Sequence, residues 1–304
     1  MTLLAGLFAS ALLGLSGQPA IESGQSQQDA TTVEGVVITG RPLRRIVEDF
    51  VDEVVEPPPG RGPARWYDRA TVCTGVVNLR RDAAQALADR VSRVALDLGL
   101  DIGEPGCRPN VLIIATDDGP GLAAALVDSR PRAFRPRHAG AARSQAALER
   151  FRTSDQAVRW WHISALATDT GSLASGIVPG GTYLTSRIRN NLLRAFIIVD
   201  LSRTDAVTFQ QLSDYVAMVA FAQINPEAEL SRFPSVLNTF HDPSVADGLT
   251  DWDMSYLSAL YGVELNQRHP DSQGGAVSWA MFRDQDRARS GQEDERDSSE
   301  DDGQ

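Results

Sequence analysis

The stretch 210–223 places one Asp and one Tyr among apolar residues. It reads QQLSDYVAMVAFAQ and has the apolar spacing of a helix that ends before Pro226. Asp214 precedes Met218 by four residues, so both side chains lie on one helical face. A carboxylate in this position could act as a general acid or base. Asp214 is therefore a candidate catalytic residue, and the alternative is a structural hydrogen bond or a partly exposed face.

Asp117 is the second catalytic candidate, because it directly follows the apolar run Val111–Thr116. That run is typical of a buried parallel strand, and α/β folds often bind ligands at the C-terminal ends of such strands. An Asp here can also cap the helix predicted over residues 122–127. The pattern favours the cap.

A third candidate is the run Trp160-Trp161-His162 on a predicted strand over residues 158–164. Two indoles beside an imidazole could line a pocket. In the structural alternative, one Trp faces the core, the other covers a sheet edge or a helix, and His162 is satisfied locally.

Several chemistries are excluded by residue type. All 29 basic residues are Arg, which removes lysine Schiff bases and the phosphate-binding P-loop. The four His form no H-E-x-x-H, and neither G-x-S-x-G nor a strand-linked G-x-G-x-x-G occurs. We therefore expect no metal and no cofactor, and enzymatic activity is uncertain, with the balance against it.

The two cysteines, Cys73 and Cys107, predict one disulfide. Residues 1–15 form an apolar run of signal-peptide length that is too short to span a bilayer as a mature helix. Together these features predict a periplasmic or secreted protein with a signal peptide over residues 1–20. A buried N-terminal helix is the alternative for the apolar run.

The predicted domain organisation has three further parts. Residues 21–64 are expected to form a flexible arm and a Pro-rich linker, and residues 65–282 one globular α/β domain. Residues 283–304 are expected to be a disordered acidic tail.

The net charge is −11, and residues 293–302, with seven acids and one Arg, contribute −6 of it. The remainder shows no basic patch, so we expect no nucleic-acid partner.

Within the arm, residues 33–41 read VEGVVITGR. This segment resembles a stretch near the N-terminus of many TonB-dependent outer-membrane receptors. The resemblance implies that the segment could pair with an envelope protein by strand addition. The alternative is a short strand or tether that pairs within its own domain.

The predicted fold is mixed α/β around one sheet. A strand over residues 72–78, a helix over 80–98 and the strand Val111–Thr116 form a βαβ unit, which is expected to be parallel. This arrangement places both cysteines at the N-terminal ends of neighbouring strands. A helix over 145–152 follows, and residues 183–189 and 192–199 are predicted to pair as a hairpin around Asn190-Asn191. Near the C-terminus, Thr250 is predicted as a helix N-cap with Asp253 at position N3.

Four segments together resemble a family of uncharacterised secreted bacterial proteins: RWWHIS (159–164), QLSDYVAMVAFAQ (211–223), PSVLNTF (234–240) and GLTDWDMSYL (248–257). The resemblance covers residues 33 to 262. It implies no activity, because that family has none assigned.

The order of elements is also similar to a zincin-type metallopeptidase layout, in which one helix bears H-E-x-x-H. Here that position falls on Asp214-Tyr-Val-Ala-Met218. Asp replaces the first His, Tyr the glutamate base and Met the second His. The resemblance implies a peptidase-like scaffold without its zinc chemistry.

The sequence therefore predicts an exported, non-catalytic protein that acts by binding in the cell envelope. One alternative is a hydrolase that uses carboxylates on a peptidase-like scaffold. The other is a TonB-linked periplasmic adaptor that acts through residues 33–41.

Overall fold

The structure is a computed structural model. It describes residues 31–33, 36–38, 42–58, 60–136, 143–174, 178 and 180–301, with backbone alone for 31–33, 36–38 and 292–301. The strands are β1 Thr31–Val33, β2 Val36–Ile38, β3 Arg65–Trp66, β4 Thr71–Val72, β5 Thr74–Val77, β6 Asp101–Ile102, β7 Val111–Thr116, β8 Val158–Thr168 and β9 Ile188–Asp200. The helices are α1 Leu43–Val54, α2 Arg81–Asp97, α3 Gly119–Ser129, α4 Pro131–Phe134, α5 Gln145–Thr153, α6 Phe209–Phe221, α7 Asp251–Gly262 and α8 Pro270–Asp301. Two short 3₁₀ helices span Leu201–Arg203 and Val236–Asn238.

The main sheet is mostly parallel, and helices flank it on both faces. β5, β7 and β9 run parallel, β8 adds an antiparallel edge to β9, and β3 pairs with β9 beside the start of β7. This confirms the predicted mixed α/β class.

The predicted βαβ unit is present as β5–α2–β7. On α2 the apolar face buries Leu87, Val91 and Val94 against the sheet. Gly99 has φ +75°, a value that favours glycine, and it ends the helix where the sequence indicates. The expected strand over 72–78 is divided at Cys73, because Thr71–Val72 pairs with β6 and Thr74–Val77 with β7.

The predicted disulfide joins Cys73 and Cys107, whose Cα atoms lie 6.1 Å apart. Cys73 directly precedes β5, and Cys107 precedes β7. The side chain of Asn110 fixes the same corner, because its Oδ1 accepts the N–H of Cys73 at 2.8 Å and its Nδ2 donates to Thr71 at 2.9 Å.

Two hydrophobic cores lie on the two faces of the sheet, and adjacent residues of β8 point into different ones. Trp160 packs with α1, α2, α6 and α7 residues in the larger core. Trp161 packs in the smaller core with Phe134 of α4 and Phe151 of α5. The alternation follows from the two-residue period of a strand.

The prediction of a flexible arm over residues 21–64 is wrong for the part that forms helix α1. Val47, Phe50 and Val54 are fully buried, and Phe50 packs edge-to-face against Phe233 and Trp252. The globular unit therefore includes residues well before 65. Strands β1 and β2, which overlap residues 33–41, pair with each other in an antiparallel manner. The predicted signal peptide over 1–20 lies outside the described residues.

The hairpin predicted around Asn190-Asn191 is also wrong, because both residues lie inside the single long strand β9. Both are 4% exposed, and Asn190 Nδ2 donates to Gly62 O at 3.2 Å. The actual hairpin partner of β9 is β8, and its register shifts between Ile163 and Ser164. Strand pairing of both residues with β8, and of Asn191 with β3, thus replaces the turn that the residue types suggest.

At the C-terminus, α8 continues from Pro270 to Asp301 across the predicted start of the tail at 283. Among the side chains described on this helix, Met281 is the last buried core residue, and the partly buried Phe282 packs against the same core. Residue 283 thus marks where core contact ends, while the helix itself extends beyond it. None of the helices described has both the length and the apolar character needed to cross a bilayer.

Candidate functional site

The catalytic candidate Asp214 is buried and engaged on both carboxylate oxygens. It is 1% exposed. Its Oδ1 accepts from Nε of Arg90 on α2, and its Oδ2 accepts the N–H of Leu249 at 2.9 Å. The backbone of Gly248 lies so close that an added Cβ would be 2.2 Å from Oδ2. The sequence analysis gives two structural roles for Asp214, a hydrogen bond or a partly exposed face. The structure shows the hydrogen bonds, and Asp214 is not exposed.

The second candidate, Asp117, is exposed after β7. The helix cap belongs to its neighbour Asp118, whose carboxylate accepts the N–H of Gly121 at 2.8 Å. Asp117 precedes α3, whereas Asp214 lies on α6 in contact with α2. The two carboxylates thus have separate surroundings and form no acid–base pair.

The capping box of α7 is formed as the sequence predicts. Thr250 accepts the N–H of Asp253 through Oγ1, and Asp253 in turn accepts the N–H of Thr250. Asp253 is fully buried, and it also accepts from Ser235 Oγ at 2.6 Å and from the N–H of Val236 at 2.8 Å. Burial raises the pKa of Asp253, while these hydrogen bonds oppose the rise. Asp253 thus joins α7 to the 3₁₀ helix Val236–Asn238.

Trp161 and His162 are structural. The indole N–H of Trp161 donates to Phe134 O at 2.9 Å, and Arg143 lies over its ring at 5.1 Å. His162 is 2% exposed, and its Nε2–H donates to Val219 O at 2.7 Å. Burial, with a smaller contribution from Arg143, lowers the pKa of His162 to about 3 despite the hydrogen bond to Val219.

Trp160, the third residue of the predicted pocket, does line an open cleft of about 470 Å³. The cleft lies where β8 begins, at the carboxyl end of β9, since Val158 pairs with Val199. This end of a parallel sheet is where α/β folds usually bind ligands. The cleft is lined by Asp155, Gln156, Ala157, Val158, Trp160, Arg203, Tyr215, Ile224, Asn225, Pro226, Ala228, Leu230, Leu237, Phe240 and His241.

Three aromatic rings form one wall of this cleft. Tyr215 lies between the other two, with its ring centroid 6.1 Å from Trp160 and 5.0 Å from Phe240, both edge-to-face. The indole N–H of Trp160 donates to Ile224 O at 3.0 Å, which fixes that ring. Such a wall offers apolar area and a fixed shape to a ligand.

The rim of the cleft is polar. Arg203 forms an ion pair with Asp155, and its Nε lies 3.8 Å from Asp200. Gln156 donates to Pro226 O at 2.6 Å. The exposed residue His241 also lines the cleft and adds a polar ring to this rim. A polar rim around an aromatic wall is the usual composition of a small-ligand site.

A second cavity, of about 270 Å³, adjoins the cleft across Gln156 and Pro226. Two of its arginines share one carboxylate, because Arg143 and Arg150 both donate to Glu56. Arg150 also lies 3.3 Å from Glu227. These acids balance the two arginine charges, so we take the first cleft as the candidate site.

Metal ligation has no support in the described part of the chain, where no three His, Cys, Asp or Glu side chains are grouped as a metal site. Two residues stand at the position where the similar layout would have H-E-x-x-H. Of these, Met218 is fully buried in the core, and Tyr215 lines the cleft.

The sequence analysis identified Trp160 but missed Tyr215 and Phe240 as cleft residues. They lie on different elements, and only tertiary packing brings their rings to Trp160.

No family model, no curated protein and no solved structure matches this chain.

Proposed function

We propose that this chain is an exported protein that acts by binding, and that it holds an aromatic or branched apolar group of its ligand in the cleft beside Trp160, Tyr215 and Phe240. The observation that carries the proposal is the open cleft of about 470 Å³ with this aromatic wall at the carboxyl end of the sheet.

Binding without catalysis is supported by the state of the two catalytic candidates. Asp214 has both oxygens engaged and is 1% exposed, so it cannot reach a substrate in the cleft without breaking the ion pair to Arg90. Asp117 is exposed, precedes the cap of α3 and is not among the residues that line the cleft. A hydrolase that uses these carboxylates therefore has no supporting geometry.

Export to the periplasm or beyond is supported by the disulfide Cys73–Cys107, because such bonds persist in oxidising compartments. The apolar run over residues 1–15 agrees with it. The N-terminus of the mature protein, determined by mass spectrometry of exported material, tests this part. An uncleaved chain that stays in the cytoplasm would contradict it.

The similarity to a zincin-type layout belongs to the proposal as a description of the scaffold. On that layout, Asp214 and Met218 occupy the positions of the two His ligands, and Tyr215 occupies that of the glutamate base. Met is a poor zinc ligand, Tyr does not replace the glutamate base, and the Asp214 carboxylate is occupied by Arg90 and the N–H of Leu249. Metal analysis of purified protein tests this reading, because one zinc per chain would overturn it.

Cleft binding is tested by filling the cleft. Ala228 lines it, so Ala228→Phe should place a ring in the space. Ala86→Phe, on the exposed face of α2, adds the same ring elsewhere and serves as the control. With acetophenone as probe, we expect NMR shifts of the Trp160 indole N–H in the wild type and in the control. We expect none in Ala228→Phe, and equal responses in all three proteins would refute the site.

A further inference from the structure

The aromatic wall of the cleft carries two polar groups, the indole N–H of Trp160, which is bonded to Ile224 O, and the hydroxyl of Tyr215. Tyr215 is 8% exposed. Among the described residues, nothing hydrogen-bonds to this hydroxyl, and its oxygen is not among the side-chain atoms that are fully buried without a partner. Tyr215 is one of the residues that line the cleft, so the cleft is the open space in which this accessible oxygen can meet a ligand. A side chain that is nine-tenths buried thus presents an unused hydrogen-bonding group to the site.

This hydroxyl is available as a donor. Burial raises the pKa of Tyr215, so the group stays protonated throughout the physiological range. The rings of Trp160 and Phe240 pack edge-to-face against Tyr215, which restricts the position of its ring and therefore of its hydroxyl oxygen. A fixed donor beside apolar walls is the kind of group that sets ligand orientation.

A ligand without a group that matches this hydroxyl binds at a free-energy cost. In the free protein, water can bond to the hydroxyl. A purely apolar ligand that displaces this water leaves the hydroxyl unpaired, which costs free energy. A ligand with an acceptor at that point replaces the lost bond. The cleft should therefore discriminate between ligands of equal shape by the presence of an acceptor.

We infer that the ligand of this cleft carries a hydrogen-bond acceptor, such as a carbonyl oxygen, next to its aromatic or branched apolar group, and that Tyr215 is the residue that recognises it. This inference rests on the proposed function, because it concerns the same cleft. It makes Tyr215 a specificity-determining residue, in the position where a zincin-type layout would hold its base.

The experiment uses two probes of nearly equal shape, acetophenone and isopropylbenzene, which differ in the carbonyl group. Their dissociation constants are measured by titrating the Trp160 indole N–H signal in the wild type and in Tyr215→Phe. Tyr67→Phe removes a hydroxyl outside the cleft, where Tyr67 donates to Asp169 O at 3.4 Å, and serves as the control. We expect the wild type and the control to prefer acetophenone by about fivefold, and Tyr215→Phe to lose this preference.

The outcomes separate the inference from the proposed function. Binding of both probes with equal affinity in wild type and Tyr215→Phe would refute the role of Tyr215 and leave the cleft as a binding site. A preference that persists in Tyr215→Phe would refute the role as well. Binding of neither probe to the wild type would overturn the proposed function and, with it, the inference.

Discussion

Arg90 on α2 and Asp214 on α6 form an ion pair whose acidic member is almost fully buried, while Arg90 is 38% exposed. The same carboxylate accepts the N–H of Leu249 ahead of α7. One side chain therefore connects two helices and a loop that are far apart in sequence. This arrangement gives a structural reason for the Asp among the buried residues of α6.

Removing this carboxylate should destabilise the protein. We expect Asp214→Ala to lower the free energy of unfolding by about 2–3 kcal/mol, below the usual cost of breaking a fully buried pair because Arg90 is partly solvated. Urea unfolding measures the change. Asp117→Ala is the matched control, and its exposed position predicts a change within about 0.5 kcal/mol. Equal stability of both variants would contradict the structural role of Asp214.

Gly248→Ala should be destabilising through the same carboxylate. Its Cβ would lie 2.2 Å from Asp214 Oδ2, so the loop or the ion pair must shift, at a cost of about 1–3 kcal/mol. Gly274→Ala on α8 has no atom within 4 Å of its Cβ and should be neutral or stabilising. In an Asp214→Ala background the clash is relieved, so the two substitutions should be less than additive. Full additivity would argue against the contact.

The disulfide should contribute strongly to stability. Its closed loop spans a sequence separation of 34 residues. The chain-entropy model assigns roughly 3–4 kcal/mol to a loop of this size. We expect the double variant Cys73→Ser, Cys107→Ser to lose about that amount in urea unfolding. Dithiothreitol should destabilise the wild type and leave the double variant unchanged. A wild type that is insensitive to the reductant would contradict the prediction.

His162 should make stability fall at acidic pH. Its pKa is about 3 in the folded protein, below its ordinary value of 6.5, because it is buried neutral. The unfolded chain therefore binds a proton below pH 6.5 that the folded chain does not. Stability is lost as pH falls from 6.5 towards 3, by up to about 1.4 kcal/mol per pH unit from this group.

The variant His162→Gln isolates this contribution, since Gln can still donate to Val219. Other groups titrate equally in both proteins, so the measured quantity is the difference between their unfolding free energies at pH 7 and pH 4.5. We expect the wild type to lose more stability than the variant over this interval. Parallel pH profiles would show that His162 contributes nothing to the acid sensitivity.

The sequence predicted those parts of the fold that depend on local pattern. The apolar run Val111–Thr116, the helical face of α2 and the capping box of Thr250 and Asp253 each have a short-range signal. The pattern of α1 was equally clear, with apolar residues at Leu43, Ile46, Val47, Phe50 and Val51. The prolines near this segment favour a linker, although Pro42 only precedes the helix.

The remaining features depend on contacts between distant residues. Asn190-Asn191 has the composition of a turn, but pairing with β8 and β3 and the hydrogen bond from Asn190 to Gly62 O keep it in a strand. The cleft depends on Trp160, Tyr215 and Phe240, which belong to three different segments. The partner of Asp214, Arg90, lies 124 residues away. No periodicity or spacing in a single sequence encodes such pairings.

The opposite burial of Trp160 and Trp161 has a consequence for cooperativity. Because neighbouring residues of β8 anchor both faces of the sheet, we expect opening of one core around β8 to disturb the other. The two cores should therefore unfold in a single transition, with tryptophan fluorescence and far-UV circular dichroism giving coincident curves. A ligand that fixes Trp160 would then slow hydrogen exchange on the opposite face, in α3 and α5, without contacting either helix.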